Sequence, residues 1–356
     1  NVQNLLSHDK QATFKTIVDT LDRQLDYHIV GVTHDEKGET QYERSAFLRN
    51  SRDFGVPQNR PRVYIVAFSR AYFGQHISIL PKEAPSKRSR TPVFENLKDV
   101  LDEKVDPRFF LSSGYLETLE KHIVTQHDKG YGFGYCIVNA PEIKNPIANT
   151  LLATGGSGRE RNLIYDPING ASCAGTSVKG KYSPINDKYI RTMTPNEWGR
   201  LQGFIGYAFV DENGADQFSF PEGIPNVQKF KQFGNSVTIP VIEEYAIFIQ
   251  KCCDIMYSSF SEIEKRIFSM YGNEFLLCSQ INKELSCHLR TETLNRYFDI
   301  VYHYKSNRFR VKELASYLNM SAARASQIIS QLVQVGCVHH EEDGTYQFED
   351  LLSFSK

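Results

Sequence analysis

Gln58, Arg60 and Arg62 alternate in the stretch PQNRPR, and in an extended chain alternate side chains share one face. Two guanidiniums on one face offer fixed donor forks that can hold a phosphate or a carbonyl oxygen. The competing reading is surface arginines paired with carboxylates. Pro61 lacks an N–H and marks a strand beginning or an edge. The seven cysteines have no CxxC spacing, and Cys252 and Cys253 are adjacent. Neither a disulfide framework nor a metal site is expected, and the setting implied is a reducing cytoplasm. GYGFGY at 130–135 lies in a turn-rich stretch rather than between a strand and a helix, so it is not a dinucleotide fingerprint.

The elements that position these residues read as follows. Phe14, Ile17, Val18, Leu21 and Leu25 recur at helical spacing and predict an amphipathic helix over 9–25, with Ser7 and Asp9 as candidate caps. YHIVGVT (27–33) and RVYIVAF (62–68) read as strands, the second as one buried on both faces. From about 74 to 189 the prolines and clustered glycines suggest an inserted domain with little regular structure. In RTMTPNEWGRLQGF, Thr194 is a natural N-cap, Pro195 fits the first helical position, Glu197 completes a capping box and Gly203 ends the helix. A last helix starts near QFGNSVTIP and runs on through VIEEYAIFIQKC, with Pro240 tolerated in its first turn.

With 356 residues and 40% hydrophobic content the chain can hold two or three ordinary domains. Its 41 basic and 42 acidic residues balance, so any nucleic-acid contact must come from local patches. No apolar run reaches the length needed to cross a bilayer, and no membrane partner is expected.

NVQNLLSHDK, DFGVPQNRPRVYIVAF, RTMTPNEWGRLQGF and QFGNSVTIPVI, in that order, resemble the later motifs of DNA cytosine-5 methyltransferases. The resemblance covers roughly residues 1–250. It implies an α/β fold: a partial Rossmann-like catalytic domain (1–75 and 191–255) with an inserted target recognition domain (76–190). In that family a cysteine in a Pro-Cys motif attacks C6 of a flipped-out cytosine in double-stranded DNA, and C5 takes the methyl group of S-adenosyl-methionine. A glutamate in a Glu-Asn-Val motif stabilises the activated ring. None of the cysteines here follows a proline, and Asn1-Val2 match only the end of Glu-Asn-Val. The resemblance therefore implies a later half that needs an N-terminal half, or a partner subunit, carrying the cofactor and Pro-Cys motifs. The missing glutamate is expected immediately before Asn1.

Carried over by resemblance, Arg60 and Arg62 face the flipped cytosine and its phosphates, Arg62 taking the base oxygen and Gln58 shaping the pocket. Asn235 and Ser236 lie near the methionine end of the cofactor, where a helix N-terminus would suit a carboxylate. Ser236 also reads as a plain helix cap. Arg191, Glu197, Arg200 and Gln202 are expected to pair structurally, and Trp198 to pack. In the recognition segment Thr150 is a candidate DNA contact; Gly155, Gly156 and Gly158 permit close approach, and Arg159 and Arg161 could read guanine edges. As a bare pattern that stretch is also a flexible loop.

Residues 256–356 read as a helical linker and a winged-helix-like domain. Val311, Leu314 and Leu318 form one helix face, Ile328, Ile329, Leu332 and Val333 a second, and Asp343-Gly344 turns a hairpin. Lys305, Arg308, Arg310, Lys312 and Arg324 favour phosphates, whereas Glu341-Glu342-Asp343 would repel them. DNA and protein are both open as its partner.

Overall fold

Pairing in the first part of the chain is organised by one extended segment that changes partner along its length. Helix α1 (Ala12–Asp19) precedes β1 (Tyr27–Ile29), β2 (Val32–His34), β3 (Thr40–Tyr42), β4 (Leu48–Asn50), β5 (Gln58–Asn59), β6 (Pro61–Val63) and β7 (Ala67–Ser69). β6 pairs antiparallel with β4, and β7 with β1. Between them Tyr64 N–H donates to Phe47 O and Val66 O accepts from Val30 N–H. The run 62–68, expected as one strand, is thus two short ones, because the ladder passes from one neighbour to another at Tyr64–Val66. The computed structural model describes residues 3–130, 135–154, 159–260, 291–304 and 307–348.

Helix α1 is shorter than its periodicity predicts. Asp9, Lys10 and Gln11 all have positive φ, so regular helix begins only at Ala12. The expected caps do not act: the Ser7 hydroxyl donates to Asn4 O instead. Past Asp19 the helix widens into a π turn over Thr20–Gln24, and Leu25 is exposed. Phe14 and Val18 are buried with Ile29, Phe47 and Val63, and the rings of Phe14, Tyr42 and Phe47 meet edge to face.

After the short helix α2 (Arg70–Phe73), the segment expected to be irregular contains α3 (Ser113–Asp128), β8 (Ala148–Asn149), β9 (Leu163–Tyr165) and α4 (Pro167–Gly170). β10 (Ile190–Thr192) pairs with β9, and leads to α5 (Pro195–Gln202), α6 (Asn226–Asn235) and α7 (Ile239–Ser259). Leu97, Val100, Ala148, Leu151 and Ile164 share one core with Met193, Trp198, Leu201, Phe230 and Phe233. Residues of the 97–164 stretch and those of 193–233 are therefore packed together. Among the described residues five of the six two-stranded ladders are antiparallel; β5 with β8 is the parallel one. Strands joined by short connections pair antiparallel, whereas parallel pairs need a long crossover. Among the described residues the other parallel pairing is the isolated bridge of Ile137 with Leu163.

Residues 84–90 strap this unit together. Arg49 donates to Ala84 O. Arg88 and Arg90 grip Glu243, Arg90 also grips Glu244, and Tyr207 donates to Glu243. Burial alone would raise the Glu243 carboxyl, but bonds from Arg90, Tyr207 and Arg88 bring it from 4.5 down to about 2. A depressed carboxylate stabilises the fold above its unfolded pKa and is lost as pH falls through the folded one. The stability difference between the native chain and Arg90→Met, read by urea midpoints, should be full at pH 6 and shrink as pH falls from 4.5 toward 2. A difference independent of pH would show that Arg90 acts through packing.

The chain divides into Asn1–Met256 and Tyr257–Lys356. In the second unit helices Thr291–Tyr304, Val311–Tyr317 and Ala322–Gln334 precede the hairpin of β11 (Val338–His340) and β12 (Tyr346–Phe348). Leu314, Ile328, Ile329 and Leu332 are buried with Phe309 and Val338. Val333, expected on that face, is 40% exposed. No described helix is long and apolar enough to cross a membrane.

Candidate functional site

The turn before β5 is set locally. The Asn50 side chain accepts from Arg52 N–H at 3.4 Å and Arg60 N–H at 2.9 Å, and Gly55 takes φ of 86°. Gln58 and Arg60 then turn into the interior. The Gln58 amide donates to Leu201 O at 2.9 Å and accepts from Leu151 N–H at 3.4 Å. Arg60 donates to three main-chain carbonyls, Leu151 O at 2.9 Å, Gly234 O at 2.9 Å and Ser236 O at 2.7 Å. Burial, and then the charge of Arg62, pull its pKa to about 10, and its Nε has no hydrogen-bond partner. Both residues converge on Leu151, as alternation predicts. They are occupied as braces, which differs from the expected position facing a base.

Arg62 takes none of these partners. It is partly buried and donates to Pro61 O at 2.8 Å, and burial holds its pKa below the ordinary value. Of the three residues it alone has most of its donor fork without a protein acceptor among the described residues.

GNSV sits where α6 ends. Ser236 is the C-cap residue, its hydroxyl donating to Phe233 O at 2.7 Å, and the next helix starts only at Ile239. The expected helix N-terminus is thus a C-terminus, and the partial charge there is negative. Ser236 acts as a cap, while Asn235 is exposed. Gly234 is a packing glycine: a Cβ there would lie 2.3 Å from Leu152 O. Sequence reasoning missed Ser51 and Thr238, which form a buried relay. The Ser51 and Thr238 hydroxyls are 2.8 Å apart, Thr238 donates to Gln202 Oε1 at 2.7 Å, and Gln202 Nε2 donates to Phe233 O at 2.8 Å.

Helix α5 carries the expected capping box of Thr194 and Glu197, with Gly203 left-handed at its end. Arg191, fully buried, donates to Glu197 through both Nη atoms at 2.9 and 2.8 Å and to Asp166 at 2.7 Å. Burial would lower its pKa, but these carboxylates outweigh that and raise it. Arg200 pairs with Asp102 at 2.7 Å. Trp198 is buried against Phe230. Asp166, which no sequence pattern singled out, completes this ion cluster.

Just after β8, the Thr150 hydroxyl donates to Asn59 O at 2.7 Å, securing the end of β8 to β5. Arg161 is exposed, while Arg159 is partly buried with its guanidinium 5.3 Å from the Phe230 ring centre. Gly155, Gly156 and Gly158 lie outside the described residues, as do residues 131–134 of GYGFGY, Lys305, Cys278 and Cys287. Cys173, Cys252 and Cys253 have pKa values raised by burial, the reverse of what a thiolate nucleophile needs.

Residues 1–251 match the C-5 cytosine-specific DNA methylase family. The chain belongs to that family. This methylase chain is 34% identical over 243 residues to type II methyltransferase M.HpaII of Haemophilus parainfluenzae, covering 68% of this chain and 56% of the relative. It is 29% identical over 248 residues to M1.ScrFI of Lactococcus lactis subsp. cremoris, covering 69% and 49%. The chain spans about half the length of the curated relatives it matches. A solved Entamoeba histolytica methyltransferase, EhMeth, superposes with a TM-score of 0.40 at 17% identity, over 71% of this chain and 60% of that one. The methylase match ends within α7, so residues beyond 251 are additional to it.

Proposed function

We propose that the chain is the base-holding and target-recognition part of a DNA (cytosine-5-)-methyltransferase of a restriction-modification system, acting in the cytoplasm on double-stranded DNA. The observation that carries this is the joint bracing of QNRPR, Thr150-Leu151 and GNSV around Arg60, with Arg62 left outside it. In this reading Arg62 donates to the oxygen of the flipped cytosine. A fixed donor aimed at an atom that gains charge in the activated ring is worth most in a water-excluded site. Gln58 and Arg60 position it through the backbone.

S-adenosyl-methionine, when bound, supplies the methyl group. This chain's residues fit one end of it. The exposed Asn235 amide can hold the methionine end, while the carbonyls that close α6 are already taken by Arg60, Ser236 and Gln202. The rest of the cofactor site, the Pro-Cys nucleophile and the motif glutamate belong to the N-terminal half or partner subunit. The helix–turn–helix and hairpin of the second unit resemble a winged helix that binds DNA. There Arg308 lies 3.4 Å from Glu341 and 3.6 Å from Asp343, reducing the repulsion of the acidic turn, and Arg324 is exposed on helix Ala322–Gln334.

The test is to supply a partner bearing the cofactor and Pro-Cys motifs and measure methylated cytosine. The pair should be active, and Arg62→Ala should lower the rate at least about 100-fold. A second reading is a non-catalytic DNA-binding protein on this scaffold. It is favoured by Gln58 and Arg60, whose polar groups are all but used by the fold and so do not by themselves require chemistry. DNA binding without restored methylation would support it. Methylation by the chain alone would overturn the need for a partner.

A further inference from the structure

A cleft of about 310 Å³ opens beside the first turn of α3. Its walls carry Arg108, Arg159 and Lys181 against one carboxylate, Glu160. Glu160 is engaged by the Tyr115 hydroxyl at 2.8 Å. Arg108 also pairs with Asp106 at 2.8 Å, an exposed contact of the kind worth little. Among the described residues Lys181 has no carboxylate partner. Burial, and then the charge of Arg159, hold its pKa below the ordinary lysine value, both of which disfavour a charged ammonium. The N-terminal end of α3 adds partial positive charge. Tyr182, at the mouth, is fully exposed, and a tyrosine hydroxyl is among the side-chain donors that contact DNA phosphate and sugar.

Arg159 and Arg161 stand in one 3-10 turn, Arg159–Asn162. At three residues per turn, positions two apart point in different directions. Arg159 therefore lines the cleft while Arg161 is exposed.

We propose that Arg108, Arg159 and Lys181 form a clamp for the sugar–phosphate backbone of duplex DNA, leaving Arg161 as the reader of base edges. This rests on the DNA-binding reading above and corrects one part of it: Arg159 positions the duplex rather than reading it. Phosphate contacts set register and salt dependence, whereas base contacts set preference.

The experiment is duplex binding by the full chain across a salt series, on several sequences. Arg108→Gln and Lys181→Gln should each flatten the slope of log affinity against log salt by about 0.9, equally for every duplex, and Lys181→Arg should retain the native slope. Arg161→Gln should instead change the ranking of duplexes. Unfolding followed by Trp198 fluorescence confirms that each variant is folded. Duplex binding with unchanged slopes overturns the clamp and leaves the DNA reading standing. If the native chain binds no duplex, the DNA reading fails and the clamp with it. Inorganic phosphate bound without any duplex would assign the cleft to a free anion and likewise overturn the proposal.

Discussion

Glu197→Ala is expected to destabilise the first unit by about 3–5 kcal/mol, the cost of breaking a buried ion pair from one side. Glu197 is fully buried and accepts four hydrogen bonds: two from Arg191, one from Thr194 N–H at 2.8 Å and one from Asp102 N–H at 2.9 Å. Removing it strands the guanidinium of a fully buried Arg191 with Asp166 as its remaining carboxylate among the described residues. It also takes away half of the α5 capping box, worth about 1 kcal/mol by itself. Trp198 is the single tryptophan of the chain and lies in α5. Its fluorescence in a urea titration reads this unit without interference from the other, which matters because a chain of two units need not unfold in one step. A loss under about 1 kcal/mol would mean that Arg191 reaches water or another acceptor when Glu197 is gone.

Arg60→Met should cost about 2–4 kcal/mol by the same measurement. Each hydrogen bond from a charged donor contributes about 1.5–3 kcal/mol, and Arg60 makes three. Desolvation of a buried cation with no carboxylate beside it, visible in its lowered pKa, offsets part of that gain, so the sum of three is not expected. Arg60→Lys should fall between, since one ammonium cannot reproduce a planar fork across three carbonyls. If Arg60→Met left stability unchanged while abolishing methylation in the reconstituted enzyme, the residue would be chemical rather than a brace.

These residues show what could be read from sequence and what could not. The Thr194, Pro195, Glu197 and Gly203 pattern was readable because capping is local: every partner lies within one helix. Pro240 in the first turn of α7 follows from an equally short-range rule, and the burial of Trp198 from the size of its apolar ring. The role of Arg60 was hidden because its acceptors are backbone carbonyls 91, 174 and 176 positions away, and a carbonyl leaves no mark on residue identity. The GNSV segment misled for a related reason. Gly234 suggested a helix opening after a glycine, but it is small so that α6 can end against Leu152, a close approach set by tertiary packing. The run 62–68 looked like one central strand because continuous apolar character does not reveal where a strand exchanges one neighbour for another.

That Arg60 grips only main-chain oxygens has a consequence for how such proteins can diverge. Arg60 holds the main chain at Leu151 whatever side chain stands there, whereas the Thr150 hydroxyl and the buried Leu151 side chain fasten the same place through residue identity. Sequence away from these two fastenings can therefore vary so long as the backbone returns to the place where Arg60 takes hold.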